Sequence, residues 1–139
     1  MTIEALQREV VDEFLLFTDW MDKYEYLIDL GKALTPFPIE KKTEEHLIPG
    51  CQSRVWLYAQ VESGKLFFLA DSDAIITKGI ISLLIKVFSG HTPHQILEAN
   101  IDFIDQIGLK EHLSPTRANG LVSMMNRIKM YALAYKQNG

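Results

Sequence analysis

At 139 residues, with 47% hydrophobic and 23% charged side chains, the chain has an ordinary globular composition, enough to bury one core and too little for two domains. A formal charge of −4, with Lys41-Lys42 the only basic doublet, argues against nucleic acid as a partner. The single cysteine, Cys51, rules out an internal disulfide and any multi-thiolate zinc or iron–sulfur site held by this chain alone. One reduced thiol fits the cytoplasm. Met1-Thr2-Ile3-Glu4 has neither the basic stretch nor the apolar core of a signal peptide. The most apolar window, Ala74 to Phe88, is broken by Thr77, Lys78, Gly79, Ser82 and Lys86, which predicts a buried helix and no membrane span.

Thr2 can cap a first helix, whose Ile3, Leu6, Val10, Phe14 and Phe17 recur at helical spacing. A second helix is predicted from about Asp19 to Ala33, with Trp20, Tyr24, Leu27 and Ile28 on one face and Gly31 near a left-handed end. Leu34 to Ser53 reads as a long irregular stretch holding Pro36, Pro38 and Pro49; such loops are uncommon in small domains and tend to be functional or disordered. The period then changes to two. Val55, Leu57, Ala59 and Val61 alternate with Trp56, Tyr58 and Gln60, Ser63-Gly64 makes a turn, and Lys65 to Ala70 returns as a second strand. An Asp or Ser among Asp71-Ser72-Asp73 can cap the next helix, Ala74 to Phe88, which Gly90 stops. Thr92-Pro93-His94-Gln95 has capping-box spacing, and a short helical piece around Phe103 to Ile107 ends at Gly108. Ser114-Pro115 opens a last helix carrying Leu121, Met124, Met125, Ile128, Tyr131 and Leu133. The predicted class is α+β: a small antiparallel sheet packed against several helices.

In this layout Cys51 precedes the first strand and Asp71 to Asp73 follow the second, so antiparallel pairing brings the thiol loop and the acidic loop to one edge. Gly50 lets the chain bend beside the thiol, and Gln52 and Ser53 offer hydrogen bonds to a thiolate. The competing reading is a structural cysteine, since free cysteines are often buried; the long loop that ends at Cys51 favours function. His46, five residues upstream, invites a Cys–His nucleophile, but no orienting group or oxyanion hole is marked out. Asp71 and Asp73 are few ligands for a cation, and His91 with His94 more simply flank a helix start. Met124, Met125 and Met130 read as core or interface packing, and Trp20 and Trp56 as core anchors. Arg117, in the first turn of the last helix, opposes the helix dipole and so points to an ion pair or a partner.

Four separated motifs then carry a resemblance. Gly50-Cys51-Gln52-Ser53-x-Val55-Trp56-Leu57, Ala70-Asp71-Ser72-Asp73-Ala74 with Lys78-Gly79, and His112-Leu113-Ser114-Pro115-x-Arg117-x-x-Gly120-Leu121, with Trp20, Lys23-Tyr24 and Leu30-Gly31 near the start, closely resemble the SufE family of sulfur acceptors. His46 and Arg54 depart from it, standing where asparagine and glutamine are common.

The resemblance implies one SufE-like domain over residues 1–139, with a SufE/IscU-like fold. It also implies a partner: a SufS-like, pyridoxal-phosphate-dependent cysteine desulfurase. Cys51 would take the persulfide sulfur from that enzyme, stimulate it, and deliver the sulfur to a SufBCD-like scaffold complex for iron–sulfur cluster assembly. The chain would be a carrier and not a stand-alone catalyst. It would need no cofactor of its own, because the pyridoxal phosphate belongs to the desulfurase, and no metal. Gly50, Gln52 and Ser53 would shape the loop, Asp73 would hold its resting conformation, and Arg117 would contact the loop or the desulfurase; His46, which departs from the family pattern, reads more simply as a solvated loop residue that could tune the thiol. The thiol is expected to rest partly sheltered and swing out on docking. Two rivals are a free-standing thiol enzyme using Cys51 with His46, and an interaction module in which Cys51 is structural.

Overall fold

The computed structural model describes residues 1–138, with side chains through Lys136, and its helices surround one antiparallel hairpin in an α+β arrangement. Helix α1 (Ile3–Leu15) starts where the Thr2 hydroxyl accepts the Ala5 N–H at 3.1 Å, and its buried Ile3, Gln7, Val10 and Phe14 fall at steps of three and four. Helix α2 (Trp20–Lys32) is capped by Asp19, which accepts from the Asp22 N–H at 2.9 Å. It crosses helix α3 (Ile75–Phe88) with the two backbones nearly in contact. A Cβ on Gly31 would lie 3.1 Å from the Gly79 nitrogen, and one on Gly79 would overlap the Leu27 carbonyl. Gly31 therefore does not provide the left-handed end its position suggests; it stays helical, and the crossing needs its missing side chain. The Ser82 hydroxyl adds a 2.9 Å bond to the Leu30 carbonyl across the same seam. At the other end of the crossing Glu13 accepts from the Tyr26 hydroxyl and lies 3.4 Å from Lys86, tying α1, α2 and α3 together.

The hairpin forms as the alternation predicts. Strands β1 (Val55–Glu62) and β2 (Lys65–Ser72) pair antiparallel, with Val55 opposite Ser72 and Glu62 opposite Lys65. Val55, Leu57 and Ala59 are buried with Leu66, Phe68 and Ala70 from β2, whereas Val61, expected on that inner face, is exposed although Leu66 opposite it is buried. Single bridges widen the sheet on either side, Leu47 to Trp56 and Leu66 to His91. The stretch before β1 is thus more ordered than an irregular loop, with 3-10 turns at Ile39–Lys41 and Glu44–His46. It covers the outer face of β1, where Lys41 sits 4.7 Å from the Tyr58 ring centre and Lys42 5.2 Å from that of Trp56.

Helix α3, the most apolar segment, is buried on nearly every side, from Gly79 and Ile80 through Leu83 and Leu84 to Phe88. Helix α4 (Pro93–Glu98) opens with the expected capping box, and Lys129 closes its other end with bonds of 2.7 Å each to the Ile96 and Ala99 carbonyls. After α5 (Asp102–Gln106) a left-handed Gly108 leads into a further turn, α6 (Leu109–His112), which the residue pattern does not announce. Helix α7 (Pro115–Asn138) inserts Leu121, Met124, Met125 and Ile128 into the core. Leu133, read as part of the inward-facing pattern, is exposed, and so is Met130, read as core or interface packing. Neither tryptophan anchors the core: Trp20 is half-buried at its margin, and Trp56 is half-buried on the outer face of β1 under Lys42.

His91 and His94 are separated: a His91 ring nitrogen lies 3.0 Å from the Met1 carbonyl in the interior, and His94 pairs with Glu98 at the surface. Among the described residues no group of three or more His, Cys, Asp or Glu side chains could hold a metal, and no helix is long and apolar enough to cross a membrane.

Candidate functional site

Pairing of Val55 with Ser72 puts the beginning of β1 beside the end of β2, so the loop carrying Cys51 meets the Asp71–Asp73 segment as the topology predicts. The contact is specific. The Arg54 N–H donates to Asp73 Oδ1 at 3.0 Å, and the Asp73 N–H donates back to the Arg54 carbonyl at 3.3 Å. The Ser72 hydroxyl also donates to that carbonyl, at 2.8 Å. Both backbone groups of Arg54 are thus taken up by residues 72 and 73. Asp73 does not cap α3: Ala74 occupies the cap position without a side-chain bond, because the Asp73 carboxylate is turned to the thiol loop. At its start the loop is closed by the Ile48 N–H, which donates to the Val55 carbonyl at 2.8 Å. Cys51 therefore lies on a short excursion fastened at both ends.

Gly50 makes the bend with a φ of +87°, and a Cβ there would meet the Ser123 hydroxyl of α7 at 2.5 Å. Beyond it the thiol turns toward α7. Cys51 is half-buried; its S–H donates to the Gly120 carbonyl at 3.7 Å, and Gly120, without a side chain, lets Sγ come within 3.5 Å of where a Cβ would be. Burial pushes the thiol above the usual range, so the neutral form prevails at rest. Below it is a crevice of about 10 Å³ bounded by Thr77, Ile80, Arg117, Gly120 and Met124, with room for less than a water molecule. On its outer side Cys51 borders an open groove of about 490 Å³.

Asp71 is engaged elsewhere. Lys42 reaches it at 2.6 Å and Lys78 at 3.2 Å. Burial pushes its carboxyl up, but the bonds from Lys42, the Ser72 N–H and Lys78 outweigh that and hold it below the usual carboxylate range. The pair ties the Lys41–Lys42 turn to the start of α3, and Asp71 is not free for a cation.

Of the residues singled out from the sequence, the structure gathers Gly50, Cys51, Gln52, Ser53, Asp73 and Arg117 around one loop. Gln52 and Ser53 line both openings, but among the described residues neither side chain bonds to Sγ. Arg117 lines the crevice, and among the described residues it makes no ion pair. His46 is not brought to the thiol: its Nδ1 lies 3.2 Å from the Thr43 hydroxyl, its ring stands edge-on to Tyr58, and it lines neither opening. Sequence reading gave no role to Gly120 and Ser123, which form the surface the loop rests on. A glycine in the interior of a predicted helix, costing about 1 kcal/mol against alanine, was the available sign of a close approach there.

Comparison with known proteins places this geometry in a family. The family model described as "Fe-S metabolism associated domain", SufE, matches residues 8–132. An uncharacterized SufE-like protein of Rhizobium meliloti (strain 1021) is 40% identical over 129 residues, 89% of this chain and 92% of that one. Another from Synechocystis sp. is 38% identical over 128 residues, 92% of this chain and 80% of the other. The Arabidopsis thaliana protein "SufE-like protein 1, chloroplastic/mitochondrial" is 38% identical over 95% of this chain, which spans only 36% of its length. In fold, the solution structure of a hypothetical protein from Thermus thermophilus superposes with a TM-score of 0.77 at 22% identity, covering 93% of this chain and 94% of that one. The chain belongs to the SufE family, and its role lies in iron–sulfur metabolism.

Proposed function

We propose that Cys51 is a sulfur acceptor: its thiolate attacks the outer sulfur of a persulfide on a SufS-like, pyridoxal-phosphate-dependent cysteine desulfurase. The S–S bond of the donor breaks, a new S–S bond forms on Cys51, and the donor cysteine leaves as a thiolate. The exchange needs no external oxidant or reductant and no cofactor on this chain. Persulfide formation on Cys51 relieves the donor enzyme of its product, which stimulates its turnover, and the sulfur passes to a SufBCD-like scaffold complex in the cytoplasm. In this reading the chain is a carrier and activator and not a stand-alone catalyst.

The observation that supports the reading best is the mounting of the thiol. Cys51 sits on a surface excursion fastened by Ile48–Val55 at one end and Arg54–Asp73 at the other, with its sulfur against Gly120 at the surface of α7. Such a loop can open without disturbing the core, because it is held by a few hydrogen bonds and one bend at Gly50. Having no second cysteine also suits a carrier, since a neighbouring thiol would discharge the persulfide as sulfide while closing a disulfide. At rest the shelter limits oxidation of the thiol. Exposed Arg117 is then available to contact the desulfurase when the loop swings out.

The test is intact-mass analysis after mixing the chain with a desulfurase and L-cysteine without reductant, beside a Cys51→Ser control. Gain of one or more sulfur atoms on Cys51, absent from the control, is the expected result. Failure to load from several desulfurases that load a known acceptor would overturn the proposal. The alternative of a thiol enzyme acting through His46 has less support, since the His46 ring is turned to Thr43 and Tyr58.

A further inference from the structure

Cys51 borders two openings. The crevice toward α7 shelters the resting thiol; the outer groove, about 490 Å³, does not follow from that need and falls within the usual 300–1,000 Å³ range of small-ligand sites. Its charges are of both signs. Arg54 and Arg127 line it, as do Glu44 and Glu45 from the 3-10 turn. Among the described residues none of these four makes an ion pair within 4.0 Å, although the chain as a whole carries a net charge of −4. Arg127 comes from α7 and Glu44 and Glu45 from the 3-10 turn, so the two signs of charge reach the groove from different elements. A guanidinium there presents the fork that a carboxylate accepts, and the glutamates present acceptors for an ammonium. The nucleophile, Cys51, lies on the same wall.

We propose that this groove binds a zwitterionic low-molecular-weight thiol, an α-amino acid or peptide thiol of the cysteine or glutathione kind, with its carboxylate at Arg127 and Arg54 and its ammonium at Glu44 and Glu45. The proposal rests on Cys51 being the sulfur acceptor and adds a second outlet for the sulfur. The bound thiolate attacks the outer sulfur of the Cys51 persulfide. That S–S bond breaks as a new one forms in the small persulfide, and Cys51 leaves as a thiolate and takes up a proton. One sulfur atom is transferred with no net oxidation.

Two measurements test this separately from the acceptor reading. The first needs no sulfur: titration of the isotopically labelled, unloaded protein with the unreactive S-methyl-L-cysteine and S-methylglutathione, followed by amide shifts. Saturable shifts confined to residues 44–54 and Arg127, lost in Arg127→Gln and only partly recovered in Arg127→Lys, which keeps the charge without the fork, are expected; the tighter of the two probes identifies the thiol. Shifts that are absent, or unchanged in Arg127→Gln, would overturn the proposal. In the second, Cys51 is loaded by a desulfurase, freed of small molecules and discharged with L-cysteine, glutathione, cysteamine, 3-mercaptopropionate or 2-mercaptoethanol at equal thiolate concentration. Discharge by the matching zwitterion should saturate and exceed that by 2-mercaptoethanol by about tenfold, the effect of one charge-assisted contact. Rates that follow thiol basicity alone, with no saturation, would show a groove without a ligand. A chain that binds the S-methyl probe but never loads sulfur would refute the acceptor reading and leave the groove standing.

Discussion

The two ends of the hairpin both bend through residues of positive φ, and they differ in everything else. At the turn, Ser63 and Gly64 have φ of 53° and 77°, and a Cβ on Gly64 would have nothing within 4 Å. At the opposite end, Gly50 has a similar φ of 87°, but a Cβ there would collide with Ser123, and the chain beyond it is pinned to Asp73 through Arg54. The turn needs glycine only for conformation; the thiol loop needs it for conformation and for close approach to α7. A bend that serves only to reverse the chain tolerates its surroundings, whereas one that seats a reactive group is defined by them.

Gly50→Ala should break the comparison most sharply. Strain at positive φ should cost about 1–2 kcal/mol, and the Ser123 hydroxyl must also turn away if the loop stays seated. The loop should instead lift, limiting the loss and raising the rate of Cys51 alkylation by iodoacetamide about tenfold or more as the sheltered state is lost. Gly64→Ala should cost only about 1 kcal/mol in urea unfolding and leave alkylation unchanged, which isolates strain from seating. Next in size is Asp73→Ala. It removes the acceptor of the Arg54 N–H, so about 1 kcal/mol of loop closure should go, with alkylation several-fold faster and little change in the unfolding midpoint.

The pH dependence sharpens the same contrast. Because burial raises the Cys51 pKa on folding, the folded state holds the thiol proton more tightly than the unfolded chain does. Its contribution to stability is therefore complete below the unfolded value, about 8.5, and is lost as pH rises through the folded one. Unfolding midpoints of the wild type and Cys51→Ser, compared at pH 7 and pH 10, should show an extra loss only for the wild type. The alkylation profile should be displaced upward, and Asp73→Ala should bring it back toward the ordinary thiol range. The smallest effect belongs to Gly120→Ala. A Cβ there would touch Sγ at an ordinary 3.5 Å, so the helix should gain up to about 1 kcal/mol while the thiol is displaced only slightly, with alkylation within about twofold of wild type.

The features legible in the sequence were those that local chemistry determines. The alternation from Val55 and the Ser63-Gly64 turn gave the hairpin, and its antiparallel return placed Cys51 beside Asp73. Thr92 and Gln95 gave a capping box that forms as written. The features that were not legible depended on which surfaces meet. Asp73 and Ala74 look like a helix start, and only the tertiary approach of Arg54 decides that the carboxylate faces the loop. Gly31 resembles a helix terminator until α3 is laid across it. His46 is near Cys51 in sequence, but the 3-10 turn and the cover over Tyr58 point its ring elsewhere. Leu133 and Met130 are apolar but exposed, in a stretch of α7 where Ala132, Tyr131 and Tyr135 are the residues that meet the core.

The crossing of α2 and α3 at Gly31 and Gly79 has a consequence for how the molecule is read by hydrogen exchange. Asp73 leads directly into α3, which is buried on nearly every side and locked against α2, so the loop should open against a fixed post and its opening should not spread. The Arg54 amide should then exchange with solvent deuterium by a local route whose rate hardly responds to dilute denaturant, while amides of Ile81 and Leu83 should exchange only when the whole chain unfolds. Two such clocks in one molecule would let the reactive loop be loosened by mutation or by a partner while the slow clock keeps the same time.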